Sequence, residues 1–316
     1  MKKGIWITWE KQIRNRSMAK NMGVKLYEII YNKSRLVRYI YCIIETIKVI
    51  YQEKPDIVFA QNPSIILTYL ILLMRYLLSY YFVSDSHFFG VIAYNNNIIL
   101  QKVLDYCNKR IDLVIVTNDE HASYIEKLGG HPFIYEDPLP DISMYEEPKS
   151  EEKIVFFICS FDIDEPLEEV FLAAESLKDE GFKFYVSGNY NKAGIETSRY
   201  PFIKFLGYVS EADYYSYLYQ SHIILDFTIN ENCLVCGAYE ALAADRVLIT
   251  SRTKALMSYF ANSALYTEHK KDEICRSIRY ADANQNKLFN NIIKWKKRAI
   301  EKNNEKSNLL KQKLNL

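Results

Sequence analysis

The sequence has almost no excess of charge of either sign and no long apolar run near its start. Its 40 lysines and arginines nearly balance 39 aspartates and glutamates, giving a net charge of +1. Because nucleic-acid-binding proteins present a basic excess or a basic face, this balance predicts no nucleic-acid partner. The opening sequence MKKGIWITWEKQ brings in a charged residue too early for the apolar core of a signal peptide, so we expect a cytoplasmic protein.

The chain also has few cysteines, and the six it has are scattered, mostly within apolar segments as buried thiols are. Only Cys233 and Cys236 have CxxC spacing, and no second pair of cysteines or histidines stands near them to complete a zinc site. We therefore expect no metal site and a reducing compartment.

One stretch, residues 65–83, is apolar enough to resemble a membrane span. It carries Arg75 in its middle and ends in the aromatic run YYFV, which is typical of a strand. A helix followed by a buried strand therefore explains this stretch better than a membrane span does.

Short apolar runs alternate with helix-like segments along most of the chain. This alternation predicts α/β architecture with doubly wound parallel sheets. Residues 137–152, with three prolines and an acidic run, form the predicted linker. We predict a first domain at residues 1–145, a second at 146–286, and a basic C-terminal helix at 287–316.

The most informative stretch is residues 221–251. It contains an apolar run at 223–225, a polar loop, a helix-like segment from Cys236 to Ala244, and a second apolar run at 247–249. This order predicts a βαβ unit with parallel strands. Ligands of such sheets bind outside the carboxyl ends of the strands, which places the predicted site at residues 228–237.

Two residues at the start of that helix suit a nucleotide ligand. Gly237 lets the backbone approach a ligand where free N–H groups favour an anion. Glu240, predicted in the first helical turn, has a carboxylate that can accept hydrogen bonds from two adjacent ribose hydroxyls. A glutamate in the first turn also stabilises the helix dipole whatever the function, so the residues alone leave both interpretations open.

The run NCLVCGAYEA, residues 232–241, resembles a motif of retaining GT-B glycosyltransferases of the family-4-like group (glycosyl transferases group 1). In that family two glutamates stand eight positions apart, ahead of an alanine-rich helix. Here Asn232 stands eight positions before Glu240, and Glu231 is one position further away. Either Glu231 or Asn232 therefore fills the first acidic position.

Other motifs occur in the order that these glycosyltransferases show: CSF at 159–161, SGN at 187–189 and FLGYVS at 205–210. The run SDSH at 84–87 is similar to their strand-end histidine motif, which places His87 beside the donor sugar. The resemblance implies a GT-B fold, with two Rossmann-like doubly wound domains facing across a cleft and a C-terminal helix crossing back to the first domain. It implies catalytic roles for His87 and for Glu231 or Asn232, and donor contacts from Ser160, Phe161, Gly188, Asn189, Lys192, Cys236, Gly237, Ala238 and Glu240.

The sequence departs from the family in the groups that hold phosphate. The glycine-rich loop expected after the first strand is missing, and the Arg and Lys expected after the strand at 154–159 are replaced by the acidic SFDIDEP. We expect the donor phosphates to be met by backbone N–H groups near Gly237, by Lys192, or by Arg14 or Arg16. These arginines are candidates for donor phosphate or an acidic acceptor, because a guanidinium binds such groups bidentately, but they also suit a solvated helix start.

The resemblance implies transfer of a sugar, with retention, from a nucleotide-diphosphate donor to a glycan or lipid-linked acceptor in bacterial surface polysaccharide or glycoconjugate synthesis. No cofactor or metal is expected, and the donor is a substrate. Two alternatives remain open: a catalytically silent homologue that serves as a binding or scaffold subunit, and a GT-B sugar-nucleotide epimerase. The basic segment 287–316 is predicted to pack on the protein, with peripheral contact to anionic lipid at the inner membrane face as the alternative.

Overall fold

The structure is a computed structural model that describes residues 2–32, 34–62, 64–86, 88–93, 97–148 and 150–316. The chain divides into two compact units. The first unit comprises Met1–Pro138 and Ile300–Leu316, and the second comprises Leu139–Ala299.

The first unit is built on a six-stranded sheet in the order β2-β1-β3-β4-β5-β6, in which every neighbouring pair is parallel. The strands are β1 (Gly4–Thr8), β2 (Lys25–Glu28), β3 (Ile57–Asn62), β4 (Tyr81–Ser86), β5 (Leu113–Val116) and β6 (Pro132–Ile134). The helices are α1 (Ile13–Met22), α2 (Arg35–Glu53), α3 (Ile65–Leu78), α4 (Phe88–Val91), α5 (Ile98–Asn108) and α6 (Asp119–Lys127).

The sheet of the first unit is buried on both faces, which explains its continuous apolar strands. Along β1, Ile5 and Ile7 point to one face and Trp6 to the other, as the alternation of a strand requires. The face with Ile5 is covered by α2, α3, α5 and α6, whereas the face with Trp6 is covered by α1 and the end of the C-terminal helix.

The second unit has a six-stranded parallel sheet in the order β12-β11-β10-β7-β8-β9. The strands are β7 (Lys153–Phe157), β8 (Phe182–Ser187), β9 (Ile203–Gly207), β10 (Ile223–Asp226), β11 (Val247–Ser251) and β12 (Ala264–Thr267). The helices are α7 (Leu167–Leu177), α8 (Glu211–Gln220), α9 (Cys236–Ala243), α10 (Lys254–Phe260), α11 (Lys271–Ala283) and α12 (Gln285–Leu314). This strand order is that of a dinucleotide-binding Rossmann fold, and it reverses between β7 and β10.

The stretch at 65–83 forms α3 followed by β4, as predicted. Strand β4 is longer than predicted, because it continues through Ser86; Ser84 and Asp85 therefore lie within the strand instead of following it. Within the described part of the chain, no helix is long and apolar enough to cross a membrane.

The C-terminal helix α12 contributes to both units. In the second unit, Trp295 donates a hydrogen bond from Nε1 to the carbonyl of Tyr259 at 3.0 Å. In the first unit, Leu310 and Leu314 are buried in the same cluster as Trp6. The prediction of two doubly wound α/β domains with a C-terminal helix that returns to the first is therefore confirmed.

Candidate functional site

The topology of the second unit points to a candidate ligand site where the strand order reverses. Ligands of doubly wound sheets bind outside the carboxyl ends of the two strands at this point, here β7 and β10. The loop after β7, residues 158–166, and the loop after β10, residues 227–235, flank this position. Helix α9 starts directly after the second loop.

Glu240 lies on α9 and is half-buried. The helix begins at Cys236, so Glu240 is its fifth residue and lies in the second turn, not in the first as predicted, because one turn takes 3.6 residues. Its carboxylate accepts hydrogen bonds from the hydroxyls of Tyr214 at 2.5 Å and Tyr215 at 3.2 Å. Burial raises the pKa of Glu240, and the two hydroxyls act in the opposite direction. The carboxylate is held in one orientation and keeps lone pairs for further donors.

Asp226, the last residue of β10, is buried against the start of α9. A Cβ at position 237 would lie 2.6 Å from Oδ2 of Asp226 and 2.7 Å from Cδ1 of Ile158, so this close packing requires Gly237. Burial raises the pKa of Asp226 well above its usual range, and the charges of Glu240 and Glu165 add to the effect. A carboxyl group of the chain itself thus lies beside the helix start where a phosphate was predicted.

The loop after β7 also holds a carboxylate of its own. Glu165 accepts hydrogen bonds from the backbone N–H groups of Ser160 at 2.8 Å and Asp162 at 3.0 Å, and from Ser160 Oγ at 3.1 Å. Phe161, between these residues, has a φ of 59°, which turns the neighbouring amides toward one point. Such a concave set of amides is an anion-binding nest. Here Glu165 occupies it.

The turn after β8 packs against this nest. Gly188 has a φ of 93°, and a Cβ there would lie 2.0 Å from the carbonyl oxygen of Cys159, so only glycine fits. Further along the turn, the N–H of Lys192 binds the carbonyl of Asn189 at 3.0 Å, and Lys192 Nζ lies 3.4 Å from Asp162 Oδ2. The structure therefore brings these predicted donor-binding residues close to the loop after β7.

Glu231 and Asn232 lie in the loop after β10. Glu231 is exposed, and its Oε2 accepts a hydrogen bond at 3.0 Å from the N–H of Lys254, at the first residue of α10. Asn232 is half-buried. The same loop is fixed to the loop after β7 by Asp164. Its Oδ2 accepts hydrogen bonds from Thr228 Oγ1 at 2.8 Å and from Asn230 Nδ2 at 2.9 Å.

Arg14 and Arg16, the predicted phosphate or acceptor residues, form ion pairs within the first unit. Arg14 is buried, donates to both oxygens of Asp85 at 2.9 and 2.6 Å, and is also paired with Asp137. Arg16 is more exposed and donates to Glu28 at 3.0 Å. His87, the predicted catalytic histidine after β4, lies outside the described residues.

The CxxC pair has no metal-binding context in the structure. Burial raises the pKa of Cys233 to about 11, with a further contribution from Asp226 and Asp164, so its thiol stays protonated at neutral pH. Cys236 is exposed at the first position of α9. No group of three or more His, Cys, Asp or Glu suited to a metal ion is found among the residues that the structure describes.

Three residues at this site were missed by sequence reasoning: Tyr214, Tyr215 and Asp226. The two tyrosines lie on α8, and nothing in their spacing along the sequence shows that they reach α9. Asp226 directly follows the apolar run at 223–225, and a carboxylate in this position was the one available signal.

Comparison with known proteins gives the same fold and a family match for part of the chain. Residues 168–308 match the model of the family described as glycosyl transferase-like. Among curated proteins, none matches the chain. Among solved structures, HepE of Anabaena in complex with UDP-glucose is similar at 11% identity, with 99% of this chain and 100% of that chain covered and a TM-score of 0.69.

Two other solved structures are similarly close. Sucrose-phosphate synthase from Thermosynechococcus elongatus has 12% identity, 99% coverage of each chain and a TM-score of 0.74. MnaA of S. aureus with UDP has 14% identity, covers 99% of this chain and 97% of that chain, and has a TM-score of 0.65. The resemblance predicted from the sequence is confirmed: this chain has the GT-B fold, and its residues 168–308 match the glycosyl transferase-like family.

Proposed function

We propose that the chain is a glycosyltransferase that moves a sugar from a nucleotide-diphosphate donor to a glycan or lipid-linked acceptor, with retention, in bacterial surface polysaccharide or glycoconjugate synthesis. One observation carries the proposal. Glu240 is half-buried on the helix that follows β10, where the strand order reverses, and two tyrosine hydroxyls hold its carboxylate. The family resemblance assigns this position to the ribose of the donor.

In this proposal Glu240 accepts hydrogen bonds from the two adjacent ribose hydroxyls. Each such bond contributes about 0.5–1.5 kcal/mol, and more where the acceptor is charged. The β-phosphate of the donor takes the proton of the acceptor, as the resemblance implies, so no protein nucleophile is needed. His87 and loop amides stabilise the charge that develops on the leaving phosphate.

The phosphates must be accommodated beside Asp226 and Glu165. Burial raises the pKa of Asp226 and so favours the protonated carboxyl group, which in that form can donate a hydrogen bond to a phosphate oxygen. The N–H groups of Gly237 and Ala238, at the start of the same helix, hydrogen-bond to Asp226, so a phosphate reaches them only by displacing this carboxyl group. Lys192, whose Nζ lies 3.4 Å from Asp162 Oδ2, supplies a positive charge.

A catalytically silent homologue is the main alternative, and one contact favours it. Glu165 fills the nest after β7, so a phosphate can enter this nest only when the carboxylate leaves. A protein that kept the fold without donor turnover would tolerate such a contact permanently.

An epimerase is the second alternative. It would use the same nucleotide grip together with acid and base carboxylates, and Asp226 and Glu240 are two carboxyl groups with raised pKa at one strand end. Among the similar solved structures is one described as a putative UDP-N-acetylglucosamine 2-epimerase from Listeria monocytogenes, at 11% identity with a TM-score of 0.64.

Calorimetric titration with UDP, GDP, ADP and CMP separates transferase from silent homologue. Binding of one nucleotide that Glu240→Ala weakens by about 1–3 kcal/mol supports the ribose assignment. Glu175→Ala, an exposed glutamate on α7, is the matched control. Failure of all four nucleotides to bind in the millimolar range rejects the transferase.

Turnover separates transferase from epimerase. Slow hydrolysis of the matching donor sugar nucleotide, lost in His87→Ala and giving the same anomer as the donor, indicates retaining transfer. Interconversion of donor epimers indicates the epimerase instead.

A further inference from the structure

Helix α3 of the first unit is apolar on the side that faces away from its sheet. Its inner side buries Leu67, Ile71, Leu72 and Met74 in the core. Its large exposed side chains are Ile66, Tyr69, Leu73, Tyr76 and Leu77, and the last two are 68% and 74% exposed. A surface helix normally presents charged residues on this side, and a helix that is apolar all round is buried against something.

The neighbouring helices of the same layer continue this surface. On α2, Leu36 is 72% exposed, and Ile40 and Ile44 follow on the same side at helical spacing. On α5, Ile98 and Ile99 are more than two-thirds exposed. The rings of Tyr69 on α3 and Tyr106 on α5 lie 6.4 Å apart, which joins two of the helices at their surface. We call the outer side of α2, α3 and α5 the apolar layer.

The charges of the apolar layer have one sign where they are exposed. The exposed charged residues of the three helices are Arg35, Lys48 and Lys102, all cations, and of these Lys48 forms an ion pair with Glu45 at 2.6 Å. The carboxylates of these helices are half-buried and hydrogen-bonded to groups of the protein: Glu45 to Lys48, Glu53 to Lys25 and Asp105 to Tyr124. Lys109 and Arg110, directly after α5, are also exposed.

This combination identifies the partner chemically. A wide apolar surface needs a cover, because exposed patches of this kind mark interaction sites. A second copy of the chain would bring the same cations face to face, which is unfavourable, whereas an anionic lipid surface attracts them. Five tyrosines on the layer, Tyr41, Tyr51, Tyr69, Tyr76 and Tyr106, are exposed, and tyrosine favours the boundary between headgroups and acyl chains.

We infer that the apolar layer docks the first unit on an anionic lipid surface, with α2, α3 and α5 lying on the headgroup region. Helix α3 has 14 residues, fewer than the roughly 20 that a span needs, so it lies on the bilayer and does not cross it. The basic C-terminal helix α12 is not needed for this contact. The inference concerns only the first unit, so it holds or fails independently of the nucleotide site in the second.

Vesicle flotation of the full chain tests the inference, with phosphatidylcholine vesicles compared with phosphatidylcholine–phosphatidylglycerol vesicles. We expect binding to the anionic vesicles that weakens as salt is added. Leu73→Gln with Leu77→Gln should reduce partitioning at least about tenfold, because two large apolar side chains no longer insert. Ile300→Gln with Leu309→Gln, two exposed apolar residues of α12, is the matched control and should bind as the unmodified chain does. Both pairs are exposed, so an unchanged melting temperature verifies that each variant is folded.

Two further variants separate the sources of binding. Arg35→Gln with Lys102→Gln should weaken binding to anionic vesicles and leave binding to neutral ones unchanged. Lys311→Gln with Lys313→Gln, on α12, should have little effect. The inference is overturned if the unmodified chain stays off both kinds of vesicle, or if only the α12 variant loses binding. It is also overturned if the layer instead mediates a dimer that Leu73→Gln with Leu77→Gln converts to monomers in sedimentation velocity.

Discussion

The hydroxyl of Tyr214 on α8 donates a hydrogen bond of 2.5 Å to Oε2 of Glu240 on α9. Burial raises the pKa of Tyr214, and the charge of Glu240 raises it further, so the hydroxyl keeps its proton and acts as a donor at neutral pH. Tyr215 donates to the other oxygen at 3.2 Å. The two tyrosines therefore set the direction in which Glu240 presents its remaining lone pairs.

Replacing Tyr214 by phenylalanine should weaken nucleotide binding without removing the ring that packs on Phe156. The lost hydrogen bond frees Glu240 to adopt other orientations, and we expect a loss of about 1 kcal/mol in binding free energy by calorimetry. Tyr217→Phe, on the same helix, is the control, because its ring packs on Tyr185 away from Glu240. A 2′-deoxynucleotide should be much less sensitive to Tyr214→Phe than the ribonucleotide. Equal losses for both sugars would show that Tyr214 does not act through the ribose.

Asp226 should make the protein less stable as the pH rises. Its folded-state pKa is raised by burial, so folding takes up a proton at pH values above the unfolded carboxyl pKa of about 3.9. The stability is therefore greatest at low pH and falls as the pH rises toward the folded-state pKa, by about 1.4 kcal/mol for each pKa unit of the shift. Asp226→Asn cannot ionise and should lack this dependence.

Urea unfolding at pH 5 and pH 8 measures the effect of Asp226. The free energy of unfolding of Asp226→Asn should fall less between the two pH values than that of the unmodified chain. Asp179→Asn, an exposed aspartate after α7, should behave as the unmodified chain does. An identical pH dependence in all three proteins would mean that Asp226 is already ionised in the folded state.

The fold could be predicted closely from the sequence because it depends on the local alternation of apolar runs and helix-like segments. Buried parallel strands are short apolar runs, and the helices between them carry their own periodicity; the stretch at 65–83, for example, was predicted as a helix followed by a buried strand and forms α3 and β4. The error at β4 has the same origin. Ser84 and Asp85 are polar, so the apolar run ends before the strand does, although both residues are buried in the sheet.

The site was less predictable because its contacts join distant segments. Glu240 was identified from a local motif, but its partners lie on a helix 25 residues earlier, and spacing does not report such pairs. The acidic loop after β7 was recognised as a departure from the family. Glu165 turns back onto the amides of Ser160 and Asp162 because Phe161 has a positive φ. A phenylalanine in the sequence does not indicate a positive φ, so this contact could not be predicted.

Arg14 should be essential for the stability of the first unit, whatever its role in binding. It is buried between Asp85 and Asp137, and removing it leaves two carboxylates without their cation. We expect Arg14→Ala to lower the free energy of unfolding by about 3–5 kcal/mol. Arg16→Ala removes a more exposed pair with Glu28 and should cost less than about 1 kcal/mol. Similar small costs for both variants in urea unfolding would contradict the buried ion-pair assignment.

Removing the charge of Glu165 should increase the affinity for nucleoside diphosphates. The carboxylate now accepts the hydrogen bonds of the nest after β7, and a donor phosphate would have to displace it. Glu165→Gln keeps the size of the side chain but binds the amides more weakly, since hydrogen bonds to charged groups are stronger than those to neutral ones. We expect tighter binding of the diphosphate by about tenfold, which is about 1.4 kcal/mol, and unchanged binding of the corresponding nucleoside.

Glu168→Gln, in the first turn of α7 and exposed, is the matched control for Glu165→Gln because it removes the same charge close to the loop without touching the nest. If both variants tighten diphosphate binding equally, the effect is general electrostatics and not release of the nest. If Glu165→Gln weakens diphosphate binding, Glu165 supports the loop in the form that binds the donor, and the nest is not a phosphate site. A gain confined to Glu165→Gln and to ligands with phosphate would show that the carboxylate of the chain and the phosphate of the donor compete for the same amides.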